Sequence, residues 1–285
     1  MSGKTLRDAV HGDINLNDDE VRLLDTPPMQ RLRGIRQLGA AFYVYPGAQH
    51  SRFEHGIGTC WMAKRIMDAV EENGERRIPA EHRAAVSLAA LAHDVTHIPY
   101  GHTFEDERRL LEEHDRSAER HRHFLEEGPV AEVLESVRGG RLARKLLAPE
   151  RGVEAELTYL RQLVSGTICA DLLDYLRRDN YYCGLNHRFD DRLFRYWRVR
   201  DGQLVLDLMK DGLFRHDALS EVTNLLRIRY VLSERVYYHH AKVAAGVMIS
   251  KAIELAMRAG LEEQELYGLT DDSLPFYLEE RYGEA

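Results

Sequence analysis

LAALAHDVTHIPYGH, residues 88–102, carries an apolar helical run into an adjacent histidine and aspartate, with His97 and His102 close behind. Imidazoles beside a carboxylate in an apolar stretch are costly unless each finds a buried partner or a metal ion. A helix turns about 100° per residue, so His93 and Asp94 diverge by little more than a right angle and both reach an ion seated at that helix end. His97 shares the face of His93 if the helix continues so far. Further out, His55 in HSRFEHGIG (50–58) and Asp171 in ICADLLDYLRRD (168–179) are groups of the right type to complete a site from facing helices of a bundle. Two imidazoles and two carboxylates form a mixed N/O set that suits Fe, Mn, Co, Ni or Mg in octahedral geometry, with positions left for water and substrate; zinc is disfavoured. The competing reading, ordinary polar residues with satisfied hydrogen bonds, weakens as four groups of ligand type accumulate.

Around this stretch helical periodicity dominates. Ile57, Cys60, Ala63, Met67 and Val70 recur at three- and four-residue steps after His55, with Trp61 and Ile66 alongside. A second helix is expected over 82–93, beginning near Pro79, with Pro99 closing the run. Residues 103–127 read as a charged, solvent-facing amphipathic helix with Leu110, Leu111, Ala118 and Phe124 as its apolar stripe, and His121 and His123 on its exposed side. Gly139-Gly140 and Gly152 mark breaks, 156–182 reads as one or two helices, and 216–259 as one long helix. The single β signal is FRYWRVRDGQLVLDL (194–208), a hairpin turning at Asp201-Gly202. The expectation is an all-α fold, a helical bundle with a small β-hairpin, in one domain over 1–285 with a core at about 30–185 and a C-terminal helical part at 210–285.

The formal net charge of −8 argues against a dedicated nucleic-acid surface. Three cysteines without CxxC spacing suit a reduced, intracellular protein. No apolar run is long enough for a membrane span, and MSGKTLRDAV lacks a signal-peptide core, so a cytoplasmic protein without membrane contact is expected.

At these residues the sequence resembles the HD superfamily of metal-dependent phosphohydrolases, and within it the deoxynucleoside triphosphate triphosphohydrolases. RDAVHGDINL, LLDTPPMQRLRGIRQLGAAFYVYPGAQHSRFEHGIG, LAHDVTHIPYGHTFED, HDRS, ADLLDYLRRDNYYCGL and VYYHH occur in the family's order, covering most of 6–185 and reaching about residue 250. The resemblance implies an HD-type helical bundle with His55, His93, Asp94 and Asp171 as ligands of a divalent metal. It implies His102, supported by Glu105 and His114, as the acid/base and phosphate-handling group, and His97 as a nearby phosphate or second-metal contact. It implies Arg52 at the α-phosphate, Arg229 at the terminal phosphate, Gln37 (with its neighbour Leu38) and Asp179 at the sugar 3′-hydroxyl, Tyr175 beneath the sugar, and Tyr237 in the same cleft. Asp171, Tyr175 and Asp179 recur at four-residue steps, as do Arg229, Ser233 and Tyr237, which agrees with shared helix faces.

Two positions depart from the family pattern. Leu172 stands where a triphosphate-binding lysine is expected, and Ser233 where a histidine is expected, so the phosphate grip weakens unless another cation such as Lys242 replaces it. Asp25 and Arg33 match an activating-nucleotide position of vertebrate members, but they lie in a packing segment and no activation is expected from them. The activity expected is hydrolysis of a deoxynucleoside triphosphate to deoxynucleoside and inorganic triphosphate by a homo-oligomer. A nucleotidase or other phosphomonoesterase on the same metal site, and a nucleotide sensor of low turnover, are the alternatives.

Overall fold

The computed structural model describes residues 3–74, 77–105, 108–149 and 154–283. Two short helices, α1 (Asp18–Leu24) and α2 (Pro27–Arg31), lead into the long helix α3 (Arg52–Glu72) and its neighbour α4 (Ala80–Ala92). α5 (Ala118–His121), α6 (Gly128–Ser136), α7 (Gly140–Leu147) and α8 (Thr158–Val164) follow, then α9 (Ala170–Tyr182). α10 (His216–Leu232), α11 (His240–Arg258) and α12 (Ser273–Tyr282) complete the helical array. The fold is mainly helical, as the periodicity implied. No helix among the described residues is long and apolar enough to cross a membrane.

α3 is the axis, packing against both α4 and α9. It starts at a capping box in which Ser51 N donates to Glu54 Oε2 at 2.7 Å and Ser51 Oγ accepts from Glu54 N. The expected stripe of Ile57, Cys60, Ala63, Met67 and Val70 is buried, as is the helix surface around it at Gly56, Gly58, Met62 and Ile66. Gly56 permits the close approach to α4, since a Cβ there would lie 2.8 Å from Leu91 O. α4 ends where the apolar run ends: His93 is its C-cap, and the chain then turns. Tyr100 holds a left-handed conformation at φ 61°, costly for a residue with a Cβ, and its N–H donates to the buried Asp271 carboxylate at 2.7 Å.

The structure differs from the sequence expectation in four places. Residues 103–127 are not one helix: Leu110 N bonds back to Phe104 O, and helix resumes only at Ser117, whose side chain caps α5. α5 passes directly into a π-turn over Arg122–Glu126. Glu105 is drawn into the interior by partners described below, which turns the chain inward where charge alone suggested a solvated face. His121 is buried and Ala118 exposed, whereas His123 is exposed as expected. Second, because α4 stops at Ala92, His97 is reached through a turn, not along the face of His93. Third, the long C-terminal pattern divides into α10 and α11 at a π-turn over Ser233–Tyr237, where Ser233 Oγ donates back to Arg229 O at 3.0 Å.

Fourth, the hairpin at 194–208 is present as β3 (Trp197–Arg200) with β4 (Gln203–Leu206), but two further hairpins flank it in sequence. β1 (Lys4–Asp8) pairs antiparallel with β2 (Gly12–Leu16), and β5 (Met209–Lys210) with β6 (Leu213–Phe214). The β1–β2 turn is built by Asp8, whose Oδ1 accepts from the N–H groups of Val10 and His11, and by Gly12 at φ 79°. The break expected at Gly152 lies outside the described residues.

Candidate functional site

α3, the end of α4 and α9 bring His55, His93, Asp94 and Asp171 to one place. His55 Nε2 lies 3.2 Å from His93 Nε2 and 3.0 Å from Asp171 Oδ1. His93 Nε2 is 3.7 Å from Asp171 Oδ1 and 3.4 Å from Asp94 Oδ1. His55, His93 and Asp171 each offer an atom within 4.8 Å of the others, while Asp94 closes the fourth side and is also bound through Oδ2 to Arg52 Nη1 at 2.7 Å.

Both histidines are turned so that Nε2 faces the centre. His93 Nδ1 donates to Ala90 O at 2.9 Å, and His55 Nδ1 donates to Asp174 Oδ2 at 2.7 Å. Tying Nδ1 leaves the Nε2 lone pair for a metal, the arrangement of ligating histidines in general. This donor set fits a divalent cation. Burial would push the carboxyls up, but Arg52 and His93 hold Asp94 well below the usual range, and hydrogen bonds from His55 and His93 do the same for Asp171. Burial opposes a proton on His55, yet its bonds to Asp171 and Asp174 push its pKa up to about 10. Carboxylates that favour a proton there also favour a divalent cation in its place, which is why such binding releases protons.

Beside the four-residue cage stands a second cluster. His97 and His114 stack with centroids 3.6 Å apart, and His102 meets both rings edge-on at 4.8 and 5.2 Å. Glu105 Oε2 lies 3.3 Å from Nδ1 of both His102 and His114, and Oε1 accepts from Arg120 Nη1 at 2.6 Å. Arg120 is itself held by Glu263. His97 is buried with neither ring nitrogen finding a hydrogen-bond partner among the described residues, although Nε2 is 3.4 Å from Asp94 Oδ1. Burial, then the charges of Arg52 and His114, keep His97 neutral.

Burial would raise the Glu105 carboxyl, but hydrogen bonds from His102 and His114 outweigh it and hold the group well below its usual range. A carboxylate depressed in the folded state contributes stability in full above its unfolded value, about 4.3, and loses it as the pH falls. Glu105→Gln is therefore expected to cost about 3 kcal/mol at neutral pH, as for breaking a buried ion pair, with the gap to the parent closing below about pH 4. Urea melts between about pH 3 and pH 7 check this; a gap independent of pH would assign the effect to packing alone.

Two cavities meet at these clusters. One of about 230 Å³ contains the cage with Arg52, His102 and His114, and extends to His121 and Arg161. The adjoining cleft of about 360 Å³ is lined by Leu38, Asp179, Arg229, Ser233, Tyr237 and Lys242 among others. Gln37, His102 and Tyr175 line both. Within the cleft Asp179 is rigidly held: Tyr237 OH donates to Oδ2 at 2.7 Å, and His50 Nε2 donates to Oδ1 at 2.8 Å. Leu172 is buried in the core, so α9 presents no cation next to Asp171. Asp25 pairs with Lys4 at the surface, and Arg33 lies over the Phe53 ring.

The expected metal ligands, phosphate contacts and sugar contacts line one or both cavities, whereas Glu105 and His97 line neither and touch them through His102 and His114. What sequence reasoning missed is the layer that supports them: His11, Asp174 and Arg178 behind His55, His50 behind Asp179, Arg120 and Glu263 behind Glu105. The one local signal was Asp174 with Arg178, a four-residue ion-pair spacing within α9.

Residues 52–179 match the HD domain family. The chain is 29% identical to the deoxynucleoside triphosphate triphosphohydrolase SAMHD1 of Gallus gallus, over 89% of this chain and 45% of that protein. It is 31% identical to the uncharacterized protein YwfO of Bacillus subtilis, over 96% of this chain and 60% of that protein. The crystal structure of a hypothetical protein from Aquifex aeolicus is similar at a TM-score of 0.80 and 27% identity, covering 99% of this chain and 73% of that one. The chain spans about half the length of the curated relatives it matches.

Proposed function

We propose that this chain, which belongs to the HD-domain family, is a metal-dependent phosphohydrolase that converts a deoxynucleoside triphosphate to deoxynucleoside and inorganic triphosphate. The observation that carries the reading is the shared wall. Gln37, His102 and Tyr175 line both the cage cavity and the adjoining cleft, so a phosphate at the cage is continuous with a sugar in the cleft. Similarity to a protein named for this activity supports the substrate class.

His55, His93, Asp94 and Asp171 would hold the ion, with Fe, Mn, Co, Ni or Mg suited to the N/O set. When bound, a divalent ion polarises a phosphoryl oxygen and lowers the pKa of water toward neutrality. The protein's own groups do the rest. Arg52, fixed by Asp94 and with Nε unpaired among the described residues, is a donor to the α-phosphate. Water oxygen joins the α-phosphorus as the bond to the 5′-oxygen breaks, and His102, oriented through Nδ1 by Glu105, delivers a proton from Nε2 to that leaving oxygen. His97 and His114 flank the same phosphate. Asp179 and Gln37 take the 3′-hydroxyl, while the Tyr175 ring fills the space a 2′-hydroxyl needs. Tyr237 keeps its proton because burial and Asp179 raise its pKa, so it remains a donor to that carboxylate. Arg229 and Lys242 line the cleft and supply positive charge toward the outer phosphates.

The cleft draws Asp179 from the core region and Arg229, Tyr237 and Lys242 from the C-terminal helices, which supports reading 1–285 as one functional unit. Large apolar side chains exposed on α10 and α11, including Leu226, Tyr230 and Met248, support self-association.

A nucleotidase is the second reading, favoured by the burial of Leu172 and the loss of a histidine at Ser233. Product analysis with dNTP, NTP and dNMP over several divalent metals separates them. Triphosphate released from dNTP is expected. Orthophosphate from dNMP would favour the nucleotidase, and binding without turnover a sensor. Tyr175→Ala and Gln37→Ala are each expected to erode the preference for the deoxy sugar by about tenfold or more, the scale of one well-placed contact. Undiminished rejection of ribonucleotides in both variants would sink this sugar site.

A further inference from the structure

Behind His55, on the side away from the cage, lies a buried chain of charged groups that the chemistry above does not use. Asp174 has no exposed surface, and both its oxygens are doubly engaged. Oδ2 accepts from His55 Nδ1 at 2.7 Å and from Arg178 Nε at 2.8 Å. Oδ1 accepts from Arg178 Nη2 at 2.9 Å and from His11 Nε2 at 2.6 Å. The remaining Arg178 nitrogen donates to Asp8 Oδ2 at 2.8 Å. Asp8 and His11 lie in the turn of the β1–β2 hairpin, 170 and 163 residues from these partners in sequence. The second Asp8 oxygen accepts from Val10 N at 2.9 Å and His11 N at 2.8 Å, so one carboxylate both grips Arg178 and shapes the turn.

Stability alone does not account for such a network, because packed apolar groups of similar volume stabilise a core at least as well. The neighbouring helix is also shaped around it. A Cβ at Gly58 would lie 1.9 Å from Asp174 Oδ1 and 2.3 Å from Arg178 Nη2. The two histidines of the cage therefore differ in how they are aimed: His93 is oriented from within its own helix by Ala90 O, His55 by Asp174 of α9, which the N-terminal hairpin holds in turn.

We propose that the β1–β2 hairpin is a positioning device for the cation site. Asp8 and His11 hold Arg178 and Asp174, and Asp174 fixes the ring plane and tautomer of His55, with its Nε2 directed at the ion. Asp174, Arg178, His11 and Asp8 are positioning residues, and the inference rests on His55 being a metal ligand.

The test is titration of Mn²⁺ into the full chain by calorimetry, with thermal melts run in parallel. The parent is expected to bind Mn²⁺ at the cage; if it binds none, the metal reading itself fails, whatever the hairpin does. With binding in hand, Asp174→Asn and His11→Ala are each expected to weaken it about 10- to 100-fold, the usual consequence of losing a group that orients a ligand. His11→Gln, which keeps an N–H to direct at Asp174, is expected to recover most of that affinity. Val130→Ala, a buried truncation in α6, supplies a lowered Tm without touching the network and is expected to leave the Mn²⁺ affinity unchanged. Equal affinity in the parent and His11→Ala would overturn the proposal. So would a loss in Val130→Ala matching theirs at equal Tm, or no recovery in a folded His11→Gln. If Asp174→Asn does not fold, the two His11 variants and Val130→Ala decide the matter.

Discussion

Replacing His93 and Asp94 together by alanine is expected to abolish bound metal and to lower hydrolysis on the order of 10³-fold or more. The magnitude follows from what a divalent ion contributes to a developing phosphoryl charge, several kcal/mol, at about 1.4 kcal/mol per tenfold in rate. Two of the four groups around the cage are lost, and His55 with Asp171, 3.0 Å apart, would pair with each other instead of presenting free ligand atoms. The fold must be checked separately. Asp94 neutralises the buried Arg52, so its removal leaves an uncompensated charge that costs about 3–5 kcal/mol. His93→Ala alone avoids this, since its one protein partner besides the cage is the exchangeable Ala90 carbonyl bond. Metal analysis and steady-state rates on both variants, with circular dichroism to verify helix content, decide the case. Hydrolysis retained in a folded His93→Ala protein without metal would refute the metal-dependent mechanism.

The cage was legible in sequence because its signal is local. His93 and Asp94 are adjacent, their apolar run says that they are buried, and His55 and Asp171 lie inside helical patterns of their own. The periodicity of α3 likewise predicted which of its residues would be interior. The parts that were not legible depend on pairings across the chain. Nothing near His11 signals Asp174, and nothing near His50 signals Asp179, 129 residues away. The charged stretch after Thr103 misled for a related reason. Arg120 and Glu105 look solvated one at a time, and burial becomes tolerable only once each is partnered, with the other at 2.6 Å, Glu105 also with His102 and His114 and Arg120 also with Glu263. The first hairpin was hidden because its turn is made by an aspartate carboxylate and not by an Asn-Gly or Asp-Gly pair. The π-turn at Ser233–Tyr237 inserts a residue that no periodic reading anticipates, and it lets Tyr237 reach Asp179.

His102→Gln is the second substitution with a large expected effect: a loss of about 10²- to 10⁴-fold in kcat, the range for removing a general acid. The geometry makes this a clean experiment. His102 sits in the turn after Tyr100 and Gly101 with its side chain half exposed, and glutamine keeps an N–H to offer Glu105, so the fold is expected to lose no more than about 1.5 kcal/mol, the scale of one hydrogen bond. Metal content should stay at the parent level because His102 is not among the four groups of the cage, and KM should move little. A role in proton delivery makes a further demand that simple crowding of the phosphate does not. The deoxynucleoside 5′-oxygen is a poor leaving group that needs a proton, whereas a nitrophenolate leaves without one. Rates on a deoxynucleoside triphosphate and on bis(4-nitrophenyl) phosphate should therefore diverge, with the variant much nearer the parent on the aryl ester. Glu105→Gln should follow the same pattern more weakly, since it orients the imidazole through Nδ1 without touching the leaving oxygen. If His102→Gln loses the same factor on both substrates, His102 binds phosphate and does not deliver the proton. His114, stacked on His97 and sharing the same Glu105 oxygen, then becomes the group to which the proton transfer must be assigned.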